Sequence, residues 1–77
     1  MPRAFVLVNV ESGAEEKVLA QLRTIGAVEE AFVTYGVYDL VVRVKADTMN
    51  ELKETVTNKM RTANQVRSTL TLIMMDE

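Results

Sequence analysis

The sequence of 77 residues contains no cysteine and no histidine. Without cysteine there is no disulfide, and without either residue the usual structural zinc sites are excluded. The same two absences remove the commonest general base and the best thiol nucleophile, so no enzymatic activity is expected. Carboxylate-only sites for Mg or Ca stay open in principle, but no EF-hand spacing, P-loop or dinucleotide fingerprint occurs. No metal and no cofactor is expected. Glycine and proline are sparse, at three and one, and no linker or low-complexity segment breaks the chain. No apolar run is long enough to span a bilayer, and no signal-peptide pattern opens the sequence. A cytoplasmic protein without membrane attachment is therefore expected. A basic excess is missing too. Nine Lys and Arg face eleven Asp and Glu for a net charge of −2, and the cations are scattered. Direct nucleic-acid binding is not expected from such a distribution.

What is present is a hydrophobic fraction of 48%, ordinary for a globular domain. A chain this short, one domain over 1–77, hides only about 60% of its unfolded surface. With disulfides and zinc unavailable, close packing or self-association must supply the remaining stability.

The apolar spacing alternates between two periods. Ala4 to Val10 is rich in β-branched residues and reads as a strand, apolar on both faces. Ser12 followed by Glu15 is a capping-box pattern. Val18, Leu22 and Ile25 then form a helical stripe that Gly26 is expected to stop. Val28 to Tyr35 and Leu40 to Ala46 read as strands of an antiparallel hairpin with a tight connection at Gly36-Val37. Thr48 with Glu51 is a second capping box, and Met49, Leu52, Val56 and Met60 follow at helical spacing. Val66 to Met75 is the fourth strand. The order β-α-β-β-α-β predicts a ferredoxin-like α+β fold, a four-stranded antiparallel sheet with both helices on one face.

The other sheet face is left open. If Leu70, Leu72 and Met74 meet the helices, then Thr69, Thr71, Ile73 and Met75 point outward with one side of the first strand. An apolar face of that extent predicts burial against a second copy.

The segment Thr34-Tyr35-Gly36-Val37-Tyr38-Asp39 holds the most chemistry. Exposed N–H groups around a glycine turn suit a carboxylate, and a nearby Asp suits an ammonium. Together these are the two requirements of a free α-amino acid. The plainer alternative is that Gly36 makes the turn and Asp39 bonds to backbone N–H groups. Thr69 and Thr71 point two hydroxyls the same way, which β-propensity also explains.

Four stretches carry a resemblance to a known family: Ala4-Phe5-Val6-Leu7-Val8, Gly26-Ala27-Val28-Glu29-Glu30-Ala31, Gly36-Val37-Tyr38-Asp39-Leu40, and Val66-Arg67-Ser68-Thr69-Leu70-Thr71-Leu72. In that order they resemble the C-terminal effector (RAM) domain of Lrp/AsnC transcription regulators. The resemblance implies dimers formed through the sheets and dimers assembled into rings, octameric or decameric. It implies a free amino acid bound in clefts between dimers, altering assembly and so the regulation of amino-acid metabolism. Carried over by position, the ligand contacts lie in Thr34, Tyr35, Gly36, Val37, Tyr38 and Asp39, with Asp39 holding the amino group. Arg67, Ser68, Thr69 and Thr71 are further candidates. Two departures stand out. The helix-turn-helix domain of the family's regulators is not in the sequence, so a stand-alone form acting alone or with full-length relatives is expected. Asn64-Gln65 also replaces a glycine frequent in the family. The alternatives are an ACT-like domain, whose site would fall in Asn9 to Gly13, a small dimeric α+β-barrel enzyme of monooxygenase type, and a purely structural oligomerisation domain with no ligand.

Overall fold

A computed structural model describes residues 1–74. Its elements run β1 (Arg3–Val10), α1 (Glu15–Leu22), β2 (Val28–Val33), β3 (Leu40–Lys45), α2 (Met49–Glu54), a π-helical continuation of α2 (Thr55–Met60), and β4 (Val66–Met74). This is the expected β-α-β-β-α-β order. The four strands form one antiparallel sheet in the order β2-β3-β1-β4.

Side chains alternate across each strand, so one choice of face fixes the whole sheet. Ala4, Val6, Val8 and Val10 of β1 lie beside Leu40, Val42 and Val44 of β3, all of them buried. Val18 and Leu22 of α1, Leu52 of α2, and Val56 and Met60 of the π-helical stretch close over them. The space between the helices and the central strands β1 and β3 is therefore filled.

Several boundaries differ from expectation. The tight hairpin is a six-residue connection, because β2 ends at Val33 and pairing resumes at Leu40. Helix α1 ends at Leu22, ahead of Gly26. Its last carbonyls are met early, since the Thr24 hydroxyl donates to Gln21 O at 2.7 Å and Arg23 N to Leu19 O at 3.0 Å. The Ser12–Glu15 capping box does not form. Ala14 occupies the N-cap with no side-chain bond, and Ser12 lies in the preceding turn. At Thr48 the cap does form, its hydroxyl accepting from Glu51 N at 3.1 Å.

The faces of β4 are the reverse of those assumed. Thr69, Thr71 and Ile73 register with Val8, Val6 and Ala4 and share the helix side. Leu70 and Leu72 register with Leu7 and Phe5 on the open side. Met75 lies outside the described residues. With Phe32 and Val41, which pair across β2 and β3, these residues make the open face apolar. Phe5, Phe32, Leu70 and Leu72 are 36%, 51%, 44% and 49% exposed. The apolar face expected from the sequence is thus present, carried by the other set of β4 side chains. Arg43 lies at its margin, bonded to Glu30 at 2.9 Å and to Glu29 at 3.4 Å. The paired glutamates of β2 are thereby accounted for as ion-pair partners.

Candidate functional site

The 34–39 connection is held in a fixed frame. Thr34 N donates to Asp39 O at 2.8 Å, and the Thr34 hydroxyl donates to Tyr38 O at 2.8 Å. Asp39 then anchors the loop to the central strand. Its N–H donates to Val8 O at 2.9 Å, and its Oδ2 accepts from Val10 N at 2.9 Å. Gly36 sits at φ +135, a conformation L side chains rarely adopt, which explains glycine at that point. The frame leaves Tyr35 and Val37 projecting into solvent, at 101% and 83% exposure.

The Asp39 carboxylate thus bonds a backbone N–H of the central strand rather than one within the turn, and it does so with one oxygen. Oδ1 has no partner among the described residues and faces the surface. The second polar group comes from β4. The β1–β4 register shifts at Asn9/Val10: Ser68 pairs with Asn9 and Val66 with Val10. Arg67 is therefore the extra residue of a bulge, a device that re-aims a side chain. Among the described residues its only ion pair is with Glu11 at 4.0 Å, between two largely exposed side chains. Such a contact holds the guanidinium weakly.

These features meet in a cleft of about 440 Å³ lined by Asn9, Val10, Val37, Asp39, Arg67 and Ser68. Asn9 Nδ2 spans part of it, 3.4 Å from the Ser68 hydroxyl. A carboxylate and a guanidinium thus share one polar depression. On the other side of the loop, Thr34, Tyr35, Gly36 and Asp39 line a second cleft of about 430 Å³ with Glu15 and Glu16 of α1. Asp39 is common to both. Tyr38 lines neither, and its carbonyl serves only to brace Thr34.

Of the ten residues expected at the site, Val37, Asp39, Arg67 and Ser68 converge in the first cleft, and Thr34, Tyr35 and Gly36 in the second. Thr71 does not join them, and Thr69 meets Arg67 and Ser68 only in a smaller depression beside Arg61 and Val66. Both threonines line a separate cleft under α2, because they point to the helix side. Asn9 and Val10 were assigned by sequence only to the ACT-like alternative. The strand order brings the end of β1 against the 34–39 loop, so the two candidate segments form one place. An asparagine in an otherwise apolar strand was the available signal. Glu15 and Glu16 gave no signal beyond that of a wet helix face. Among the described residues no group of three or more acidic side chains could hold a metal ion.

Comparison with known proteins bears on the same region. The family model for the Lrp/AsnC ligand binding domain matches residues 3–77. The regulatory protein AsnC of Escherichia coli (strain K12) is 33% identical over 57 residues, 74% of this chain and 38% of the relative. The match thus spans well under half the length of that curated relative. Among solved structures, FFRP-DM1 superposes with a TM-score of 0.94 at 37% identity, covering 97% of this chain and all of that one (100%). The hypothetical protein PHS023 from Pyrococcus horikoshii gives 0.93 at 38% identity, covering 100% of this chain and 93% of that one.

Proposed function

Because this chain belongs to the Lrp/AsnC ligand-binding domain family, we propose that it is an amino-acid-responsive assembly module acting in transcriptional regulation of amino-acid metabolism. The relatives it matches are regulatory proteins rather than enzymes. The observation that carries the ligand reading is the pairing of Asp39 and Arg67 across one polar cleft. Asp39 Oδ1 accepts from the ammonium while Oδ2 keeps its bond to Val10 N, and the Arg67 guanidinium takes the carboxylate. Asn9 and Ser68 supply further hydrogen bonds, and Val37 borders the side chain. A distant fold neighbour, transcriptional regulator NMB0573 from Neisseria meningitidis, was solved as a complex with L-Met.

Assembly accompanies binding in this reading. The half-exposed residues Phe5, Phe32, Leu70 and Leu72 are covered by the same face of a second copy, and dimers join into rings. The fully exposed Tyr35 at the loop tip reaches a neighbouring dimer, so the two clefts flanking Asp39 are closed by assembly. Full-length relatives that share the domain are candidate partners for mixed rings. With a net charge of −2 and scattered cations, these residues do not themselves contact DNA.

Thermal melting against the twenty amino acids at millimolar concentration tests the reading. A ligand at about 100 times its dissociation constant raises stability by roughly 2.7 kcal/mol, a rise in melting temperature on the order of 10–20 °C. For each amino acid that shifts the melt, the matching amine and the matching deaminated acid are expected to have no effect at this cleft. A shift by either analogue that Asp39→Asn abolishes, or no shift by any amino acid, overturns the zwitterion assignment.

A further inference from the structure

The cleft that contains Thr69 and Thr71 differs in charge from the Asp39 cleft. It has a volume of about 380 Å³ and lies between the second helix and the edge strand β4. Its floor is apolar: Leu52 and Val56 are buried, and Ile73 is 40% exposed because the helix does not reach over the end of β4. Three hydroxyls surround that floor, from Thr57, Thr69 and Thr71. Lys53 and Arg61 stand at the rim. No carboxylate lines the cleft, and neither cation has an ion pair among the described residues.

The helix is specially wound at this place. Thr55–Met60 is π-helical, and Arg61 N bonds Val56 O at 2.9 Å, a link of five residues. In an α-helix, residues five apart diverge around the axis. The wider turn stacks Arg61 one turn above Val56, over the apolar floor. Lys53, Thr57 and Arg61, spaced by four, then follow one rim. π-Helical stretches are rare, and many occur at functional sites.

We propose that this cleft is a second ligand site, selective for a small organic acid with a short aliphatic body and no ammonium group. The two cations hold the carboxylate, the threonine hydroxyls bond to it or to an adjacent oxo group, and the floor receives the aliphatic part. A free amino acid is disfavoured here, because its ammonium would face two cations with no acceptor of negative charge. The two clefts thus separate an amino acid from its deaminated counterpart. The proposal does not depend on the Asp39 cleft being occupied.

Calorimetric titration of the intact protein with 4-methyl-2-oxopentanoate and with leucine, which share a carbon skeleton, tests it. The oxo acid is expected to bind the wild type. Arg61→Gln is expected to weaken it roughly tenfold or more, the effect of losing a charge-assisted hydrogen bond. Arg61 is exposed and has no ion pair among the described residues, so the variant should keep its melting temperature; Lys53→Gln and Thr71→Val provide the same test if it does not. Asp39→Asn should leave oxo-acid binding in place. No binding, equal competition by inorganic phosphate, or loss with Asp39→Asn but not with Arg61→Gln overturns the proposal. The last result would move the oxo acid to the first cleft, whereas failure of leucine alone would bear only on the amino-acid reading.

Discussion

Replacing Asp39 by Ala and by Asn separates what the residue does for the fold from what it does for a ligand. Its Oδ2 accepts from Val10 N at 2.9 Å, and Val10 is only 4% exposed. Alanine leaves that N–H without its acceptor. Stranding a buried donor costs roughly 1–3 kcal/mol. In a domain of this size each kcal/mol shifts the melting temperature by about 4–8 °C, so a fall on the order of 10 °C is expected. Asparagine keeps a carbonyl oxygen for Val10 N and loses only the charge assistance, worth roughly 1 kcal/mol, or about half the fall. An ammonium ligand needs the negative charge, so both variants should lose the ligand-induced rise. Circular dichroism melts with and without ligand give all the values. Equal melting of the two variants would show that the Val10 bond is not what Asp39 contributes. A full ligand-induced rise in Asp39→Asn would refute the ammonium role, whatever the stability.

Leu72→Glu places a charge on the apolar open face, and sedimentation velocity at micromolar concentration should show smaller assemblies with little change in the fold. Thr48→Ala should destabilise by about 1 kcal/mol through loss of its cap, whereas Ser12→Ala, which bonds to no helix end, should shift the thermal melt by under about 0.5 kcal/mol. Gln65 has φ 71 and is the only non-glycine residue described with positive φ; its buried Oε1 also has no partner. Gln65→Gly should therefore raise stability by about 1 kcal/mol in denaturant titration, relief of left-handed strain outweighing the entropy of glycine.

Much of the fold was legible because each element carried its period plainly. Val18/Leu22 and Leu52/Val56/Met60 could only be helix stripes, and the position of Gln65 stood out where a glycine was expected. The strand faces were less legible. In β4, Leu70 and Leu72 are as apolar as any core residue, and alternation alone cannot say which of two apolar sides meets the helices. The answer depends on register with β1, a pairing between residues about sixty positions apart. The bulge at Arg67 and the π turn at Val56–Arg61 left no local mark either, since both arise from how neighbours pack. The candidate site was half visible for the same reason. Asp39 and Gly36 announced themselves by type and spacing, but the joining of Asn9 to Arg67 is a product of strand order.

That strand order also sets a timetable. The central strand β1 is completed by Val10, yet one of its neighbours comes at residues 40–45 and the other only at 66–74. While the chain is still on the ribosome, the first strand made has no lasting partner on either edge. One edge waits for β3 and the other until β4 emerges. Pairings of such long sequence separation form slowly, and an open apolar edge invites pairing with another nascent chain. Ribosomes working side by side on one message hold such chains close together. The helix α1, which packs beside β2 without needing β4, is the element placed to shield β1 in the interval.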